Sequence, residues 1–208
     1  IWRQPDAGLW EVRSGPQHFT QSKMMCWVAL DRAVRLAEQG AIPGRQIGQW
    51  RLAMKEIVQF VDQHCWSDER NTYTRHAGTD DLDASLLLGV LFAYGDAGDP
   101  RTEATVDAIR RELTQGPLVR RYTGDDGLHG TEGAFVACSF WLVEALSLLG
   151  HRGEAATLMD ELVSLGNDVG LYAEEIDPVT GAFLGNFPQG LTHLALINAA
   201  VALNARDT

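Results

Sequence analysis

The sequence has little positive charge, few cysteines and no long apolar run. Lysine and arginine total 17 against 28 aspartates and glutamates, a formal net charge of -11 over 208 residues. A surface of that sign repels phosphate backbones and anionic lipid, so nucleic acid and membranes are not expected partners. A neutral or cationic small molecule fits better. The three cysteines, Cys26, Cys65 and Cys138, have no CxxC spacing and sit in apolar stretches of helical period. An odd count without a framework predicts reduced, buried thiols and a cytoplasmic setting. No apolar stretch approaches the roughly 18 residues that span a bilayer, and no basic-then-apolar signal segment opens the chain. The opening at Ile1, inside an aromatic loop-like stretch, reads as a segment of a longer protein.

Sustained strand alternation is also missing, and almost every long segment has helical period. The pattern predicts helices at roughly 18–39, 47–65, 82–95, 101–114, 131–149, 152–165 and 189–205. Gly40 to Gly44, Gly95 to Pro100, Gly116-Pro117, Gly150 and Gly185 to Pro188 separate them. Segments 101–114 and 152–165 carry one apolar stripe and a charged opposite face, as surface helices do. Segments 82–95, 131–149 and 189–204 are apolar nearly all round and must be buried on most sides. Segment 18–39 is buried-like at its centre and 47–65 is amphipathic. The order is therefore inner, outer, inner, outer, inner, outer, inner, an all-α array of helical hairpins. If the inner helices run parallel, the loops leading into them converge on one face. Those loops are PDAGLWEVRSGPQ, RHAGTDD, RRYTGDDGLHG and YAEEIDPVTGAFLGNFP, and they hold most of the surplus Gly, Asp, Glu, Trp and Tyr. Loops on a rigid scaffold are where sites are built.

What the loops lack narrows their chemistry. There is no HExxH helix, no Cys/His cluster with zinc spacing, no GxSxG elbow and no GxxxxGK[ST] phosphate cradle. Neither a metal nor a cofactor is expected. Carboxylate acid/base work beside aromatic walls remains. Glycoside hydrolysis fits that inventory, with one carboxylic acid protonating the leaving oxygen and one carboxylate activating water or attacking the sugar.

Several runs resemble the bacterial members of glycoside hydrolase family 15, the glucoamylases, glucodextranases and actinobacterial trehalases. They are PDAGLWEVRSGPQHFTQSKMMCWVALDRAVRLAE at the start, LDASLLL (82–88), LVRRY (118–122), EGAFVACSFWLVEAL (132–146) and NDVGLYAEEIDPVTGAFLGNFPQGLTHLALINAA (167–200). They follow the family's order from residue 5 to about residue 200. The resemblance implies an (α/α)6 barrel, of which 1–208 is the carboxyl-terminal portion, about half. The amino-terminal half and any β-sandwich domain lie outside the sequence, and the missing half, or a second copy, is the expected partner. The resemblance implies an inverting hydrolase that releases glucose from a neutral α-glucoside: trehalose, a maltooligosaccharide or an isomaltooligosaccharide. Glu11 in WEVR matches the family's general acid and Glu174 in AEEIDP its general base. Arg121 in RRY matches an arginine that holds the innermost glucose, and Trp10 would wall the same pocket. Glu175 and Asp177 are the nearest alternatives for the base. A general acid benefits from burial that favours its neutral form, and Trp10 is the neighbour expected to bury Glu11.

Plainer roles compete at several positions. Arg121 is also placed to pair with Asp125 or Asp126. Asp80, Asp81 and Asp83 precede a buried helix and are expected N-caps. His193 reads as a hydrogen-bonded core histidine, His18 as ambiguous, and Trp27, Trp50 and Trp141 as core. Two other readings differ in class. One is a non-catalytic carbohydrate-binding or scaffold fragment, which has no reason to keep both Glu11 and Glu174. The other is a terpene-cyclase-like α-toroid, which wants a DxDD or DDxxD cluster that GTDDLD imitates only loosely.

Overall fold

The computed structural model describes residues 1–96, 98–124 and 132–205. Among them are seven α-helices: α1 (Thr20–Glu38), α2 (Ile47–His64), α3 (Leu87–Leu91), α4 (Pro100–Leu113), α5 (Val136–Leu148), α6 (Arg152–Val163) and α7 (Gly190–Asn204). Neighbouring members of the series α1, α3, α5 and α7 pack on one another as an inner layer, and α2, α4 and α6 lie outside it. This is the alternating inner and outer arrangement expected from the sequence, and it makes about half of an (α/α)6 ring.

Each class of helix follows from its composition. Outer helix α4 opens on Asp99, whose side chain accepts the Arg101 N–H, with Pro100 in the first turn and Arg110 and Arg111 in the last. Those are the start and stop chemistries a solvated helix needs. It buries Thr105, Val106, Ala108, Ile109 and Leu113 against the layer beneath. Inner helix α5 has no polar face, and every residue from Val136 to Ser147 except Glu144 is buried. Helix α7, equally apolar, buries Thr192, Ala195 and Ala199, whereas Leu191, Leu194, Ile197 and Val201 stand exposed.

Two expectations needed correction. The inner helix expected over 82–95 is a 3-10 turn at Ala84–Leu86 followed by the short α3. It stops because Ala93 turns left-handed at φ 54 and Gly95 follows at φ 73, so the chain leaves the layer after one and a half turns. The helix expected over 131–149 starts only at Val136, because Ala134 and Phe135 are spent in a strand. Residues 125–131, which hold Asp125, Asp126 and the expected start of that helix, lie outside the described residues.

Short two-residue strands complete the structure. β1 (Trp66–Ser67) pairs with β2 (Thr72–Tyr73), and β3 (Thr114–Gln115) with β4 (Leu118–Val119). β5 (Ala134–Phe135), β6 (Glu175–Ile176) and β7 (Phe183–Leu184) form an antiparallel sheet in the order β5-β6-β7. Backbone bonds then join the loops leading into successive inner helices. Thr20 N–H donates to the Arg75 carbonyl at 3.0 Å, Ala84 N–H to Arg121 at 2.7 Å, and Val136 N–H to Glu174 at 3.0 Å. Within the described residues, the four loops converge on one face.

Candidate active site

The first loop is tied at its base by backbone bonds and at its tip by the Trp10 side chain. Asp6 and Gln17 exchange backbone hydrogen bonds of 2.9 and 2.8 Å, closing residues 6–17 into a lobe. The Asp6 carboxylate accepts from Gly8 N–H and Ser22 Oγ and lies 3.3 Å from the ammonium of Lys23, a side chain fully buried on α1. At the tip, Trp10 points inward and Glu11 adopts φ 51. A left-handed conformation costs a non-glycine residue about 1–2 kcal/mol, and such strain clusters at functional sites. The carboxylate of Glu11 is exposed, so the burial expected beside Trp10 is not there. Trp10 spends its apolar surface on other rings instead. It meets Phe135 edge-on at 5.3 Å, tilts against Trp141 at 6.2 Å and reaches Tyr122 at 6.3 Å.

Glu174 is held differently. Its Oε2 accepts from both the backbone N–H (3.0 Å) and side-chain amide (2.9 Å) of Asn186, while its own N–H donates to the Asn186 carbonyl at 2.9 Å. Gly185 makes the approach possible: it sits at φ 71, and a Cβ there would fall 2.7 Å from Glu174 Oε2. The next residue, Glu175, is turned to another environment by strand alternation. Its Oε2 accepts the Gly133 N–H at 3.1 Å and its Oε1 lies 3.8 Å from Arg121 Nη2. Burial pushes the Glu175 carboxyl above the usual glutamate range, against the opposing pull of Arg121 and Gly133. Asp177 is half-buried and closes the β6–β7 turn by accepting from Val179 N–H and Thr180 Oγ1.

Arg121 forms an ion pair with Glu132 and stacks its guanidinium 5.5 Å from the Trp10 ring centre. Its expected alternative partners, Asp125 and Asp126, fall outside the described residues. Trp10, Glu11, Arg121 and Glu174, the four residues singled out from the sequence, line one cleft of about 550 Å3 with Phe135, Trp141 and Glu144. Glu175 and Asp177 do not line it.

Other expectations sort as follows. Asp83 caps the 3-10 turn as expected, accepting the Ser85 N–H at 2.7 Å, but it also accepts the Trp10 indole N–H. Trp27 and Trp141 are buried, and Trp141 forms cleft wall as well as core. Trp50 is only half-buried on α2. His193 is half-buried with Nδ1 2.7 Å from the Gln189 carbonyl, while His18 packs beside Phe60 at 5.2 Å, away from the cleft. Two carboxylates were missed. Glu144 reaches the cleft from the middle of α5 with Oε2 unpartnered among the described residues, and burial pushes its carboxyl up. Asp83 was read only as a cap. The signal for Glu144 was a lone acid in an otherwise apolar run, FWLVEAL. Among the described residues no three His, Cys, Asp or Glu side chains gather as metal ligands would.

The chain is 53% identical over 204 residues to a trehalase of Mycobacterium tuberculosis, covering 96% of this chain and 30% of that protein. It spans about a third of the length of the curated relatives it matches. Its fold matches a wild-type glycosidase with a TM-score of 0.83 at 18% identity, over 98% of this chain and 56% of the other. A bacterial glucoamylase solved with acarbose matches at 0.72 and 15% identity, over 93% of this chain and 34% of the other. The profile of glycosyl hydrolases family 15 matches residues 1–165, and by that match, carried on the fold and the cleft just described, the chain belongs to this family.

Proposed function

We propose that this chain supplies the acid and the base of an inverting glycoside hydrolase that releases glucose from a neutral α-glucoside, with trehalose the first candidate. Glu11 protonates the glycosidic oxygen as the bond to the leaving sugar breaks. Glu174 takes a proton from the water that attacks the anomeric carbon from the opposite side, so the configuration inverts. Asn186 aims the Glu174 carboxylate with two donors. The part of the half-buried Trp10 ring that lines the cleft meets the apolar side of a sugar, and Arg121 offers donors for its hydroxyls. Two carboxylates and water complete this chemistry without a cofactor.

The observation that carries the reading is that Glu11, Glu174, Trp10 and Arg121, drawn from three different loops, line the same cleft. The similarity to a protein named trehalase puts trehalose ahead of the maltose and isomaltose series. The reading applies to a longer enzyme. The exposed apolar flank of α7 and the exposed Glu11 both fit a cleft that further chain completes. The upstream half of the same protein, or a second copy, is the proposed partner, and the 208-residue chain alone should turn over weakly or not at all. The test assays the full-length enzyme on trehalose, maltose, isomaltose and soluble starch, following the released anomer by NMR. From trehalose, inversion gives equal amounts of β-glucose from the attacked unit and α-glucose from the leaving one before mutarotation, whereas α-glucose alone overturns it.

A further inference from the structure

Asp83 does more than its capping role requires. It is 1% exposed, yet the turn it caps is only Ala84–Leu86. A serine or asparagine satisfies one N–H as well, without burying a charge. The Asp83 carboxylate receives three further claims. The Trp10 indole N–H lies 2.9 Å from Oδ1 and 3.1 Å from Oδ2, across 73 residues of sequence. Arg75 Nε lies 3.7 Å from Oδ2, and Arg75 is itself buried. Its guanidinium covers the Tyr122 ring at 3.8 Å and donates to the Thr123 carbonyl at 3.2 Å. The backbone adds a link, since Asp83 bridges Tyr122 and the next N–H, that of Ala84, donates to the Arg121 carbonyl at 2.7 Å. Asp83 thus joins the acid-bearing loop, through its carboxylate and Trp10, to the arginine-bearing loop, through the backbone. It does not line the cleft.

We propose that Asp83 is a positioning residue: by holding the Trp10 indole it fixes the presentation of Glu11 and the stacking surface of Arg121. The physical case is geometric. Glu11 follows Trp10 directly in a turn closed by Glu11 N–H to the Gly8 carbonyl (3.3 Å) and Val12 N–H to the Ala7 carbonyl (3.1 Å), and it is exposed, so the Trp10 side chain is what anchors that turn to the rest of the fold. Trp10 is gripped at its edge by Asp83 and at its ring by Phe135 and Trp141. Without the edge bond the ring can turn within its aromatic box, and both Glu11 and the Arg121 stack move with it. A displacement of about 1 Å in a catalytic group can cost on the order of 100-fold in rate.

The inference rests on the proposed roles of Glu11 and Arg121, and the test separates the two. Asp83→Ser keeps a good cap for Ser85 N–H but is too short to reach the indole. Asp83→Asn keeps Oδ1, the oxygen that accepts both the Ser85 N–H and the Trp10 indole N–H at the shorter distance, with an amide nitrogen in place of Oδ2. Both remove the charge opposite Arg75, so that loss is common to the pair. In the full-length enzyme, Asp83→Asn is expected to keep kcat within about threefold of the parent, while Asp83→Ser lowers kcat at least about tenfold. KM should change far less than kcat. In a Trp10→Phe background, which has no indole N–H to hold, the difference between the two variants should vanish. Equal kcat for Asp83→Ser and Asp83→Asn overturns the proposal. So does a Ser/Asn difference that persists at full size with Trp10→Phe, because Asp83 would then act through the fold alone. Full turnover by Glu11→Gln would instead sink the assignment of the acid, whatever Asp83 does.

Discussion

The two segments that carry the proposed acid and base are built on opposite plans. Glu174 leads into strand β6 of a three-stranded sheet, takes two bonds from Asn186, and is approached so closely by Gly185 that no side chain fits there. Glu11 sits at the tip of a lobe tied at its base by Asp6 and Gln17 and at its tip by the Trp10 indole, left-handed in backbone and exposed in side chain. The comparison teaches where precision comes from in each case. The base is positioned by its own backbone ladder and a local amide. The proposed acid is positioned at second hand, through the ring beside it and the carboxylate that accepts from that ring.

The sharpest way to break the comparison is to remove both groups. Glu11→Gln and Glu174→Gln should each lower kcat of the full-length enzyme by about 100- to 10,000-fold, the usual worth of general acid/base groups. Wild-type-like steady-state turnover in either variant removes that assignment. Next, Asn186→Ala should lower kcat by roughly 10-fold, since a hydrogen bond to a charged group is worth about 1.5–3 kcal/mol. No loss there would mean that the sheet alone aims Glu174. A smaller, opposed pair of effects should be seen in denaturant unfolding. Gly185→Ala should cost about 1–2 kcal/mol, because φ 71 disfavours any Cβ and the added atom meets Glu174. Glu11→Gly should instead gain about 0.5 kcal/mol, the relief of a left-handed glutamate less the extra chain entropy of glycine. If both changes destabilise, the contrast between rigid base and strained acid fails.

The smallest effect is one of pH. Burial raises the Glu175 carboxyl on the base-bearing sheet. A group raised in the folded state binds its proton more tightly there than in the unfolded chain. The stability it contributes is therefore present at acid pH and lost as pH rises from the ordinary glutamate range through the raised value. Glu175→Gln should flatten that decline in a series of melting midpoints across mildly acidic pH. An unchanged slope would show that the sheet carries no such linkage.

Much of this architecture was legible in residue patterns. The charged stripe of α4 and the all-apolar run of α5 fixed their layers without ambiguity, because a helix must bury its apolar face. Glu11, Glu174, Trp10 and Arg121 were legible through family motifs, and the fold brings them to one cleft. Other features were not. The early stop of α3 depends on a left-handed alanine, which propensity does not foresee. Two-residue strands leave no alternation to detect. Trp141 looked like core and is both core and wall. The exposure of Glu11 was hidden because Trp10, its sequence neighbour, faces other rings.

The sequence by itself determined the alternation of helices, the absence of metal-site and phosphate-loop motifs, and which loops hold the acids and aromatics. These are local matters of period, composition and spacing. Only the tertiary structure decided that Glu174 rather than Glu175 lines the cleft, that α7 keeps an open flank while α5 does not, and that Asp83 reaches Trp10. Each of those depends on contacts between residues far apart in the chain, and a buried charge reveals its partner only when the fold brings the two within hydrogen-bond distance.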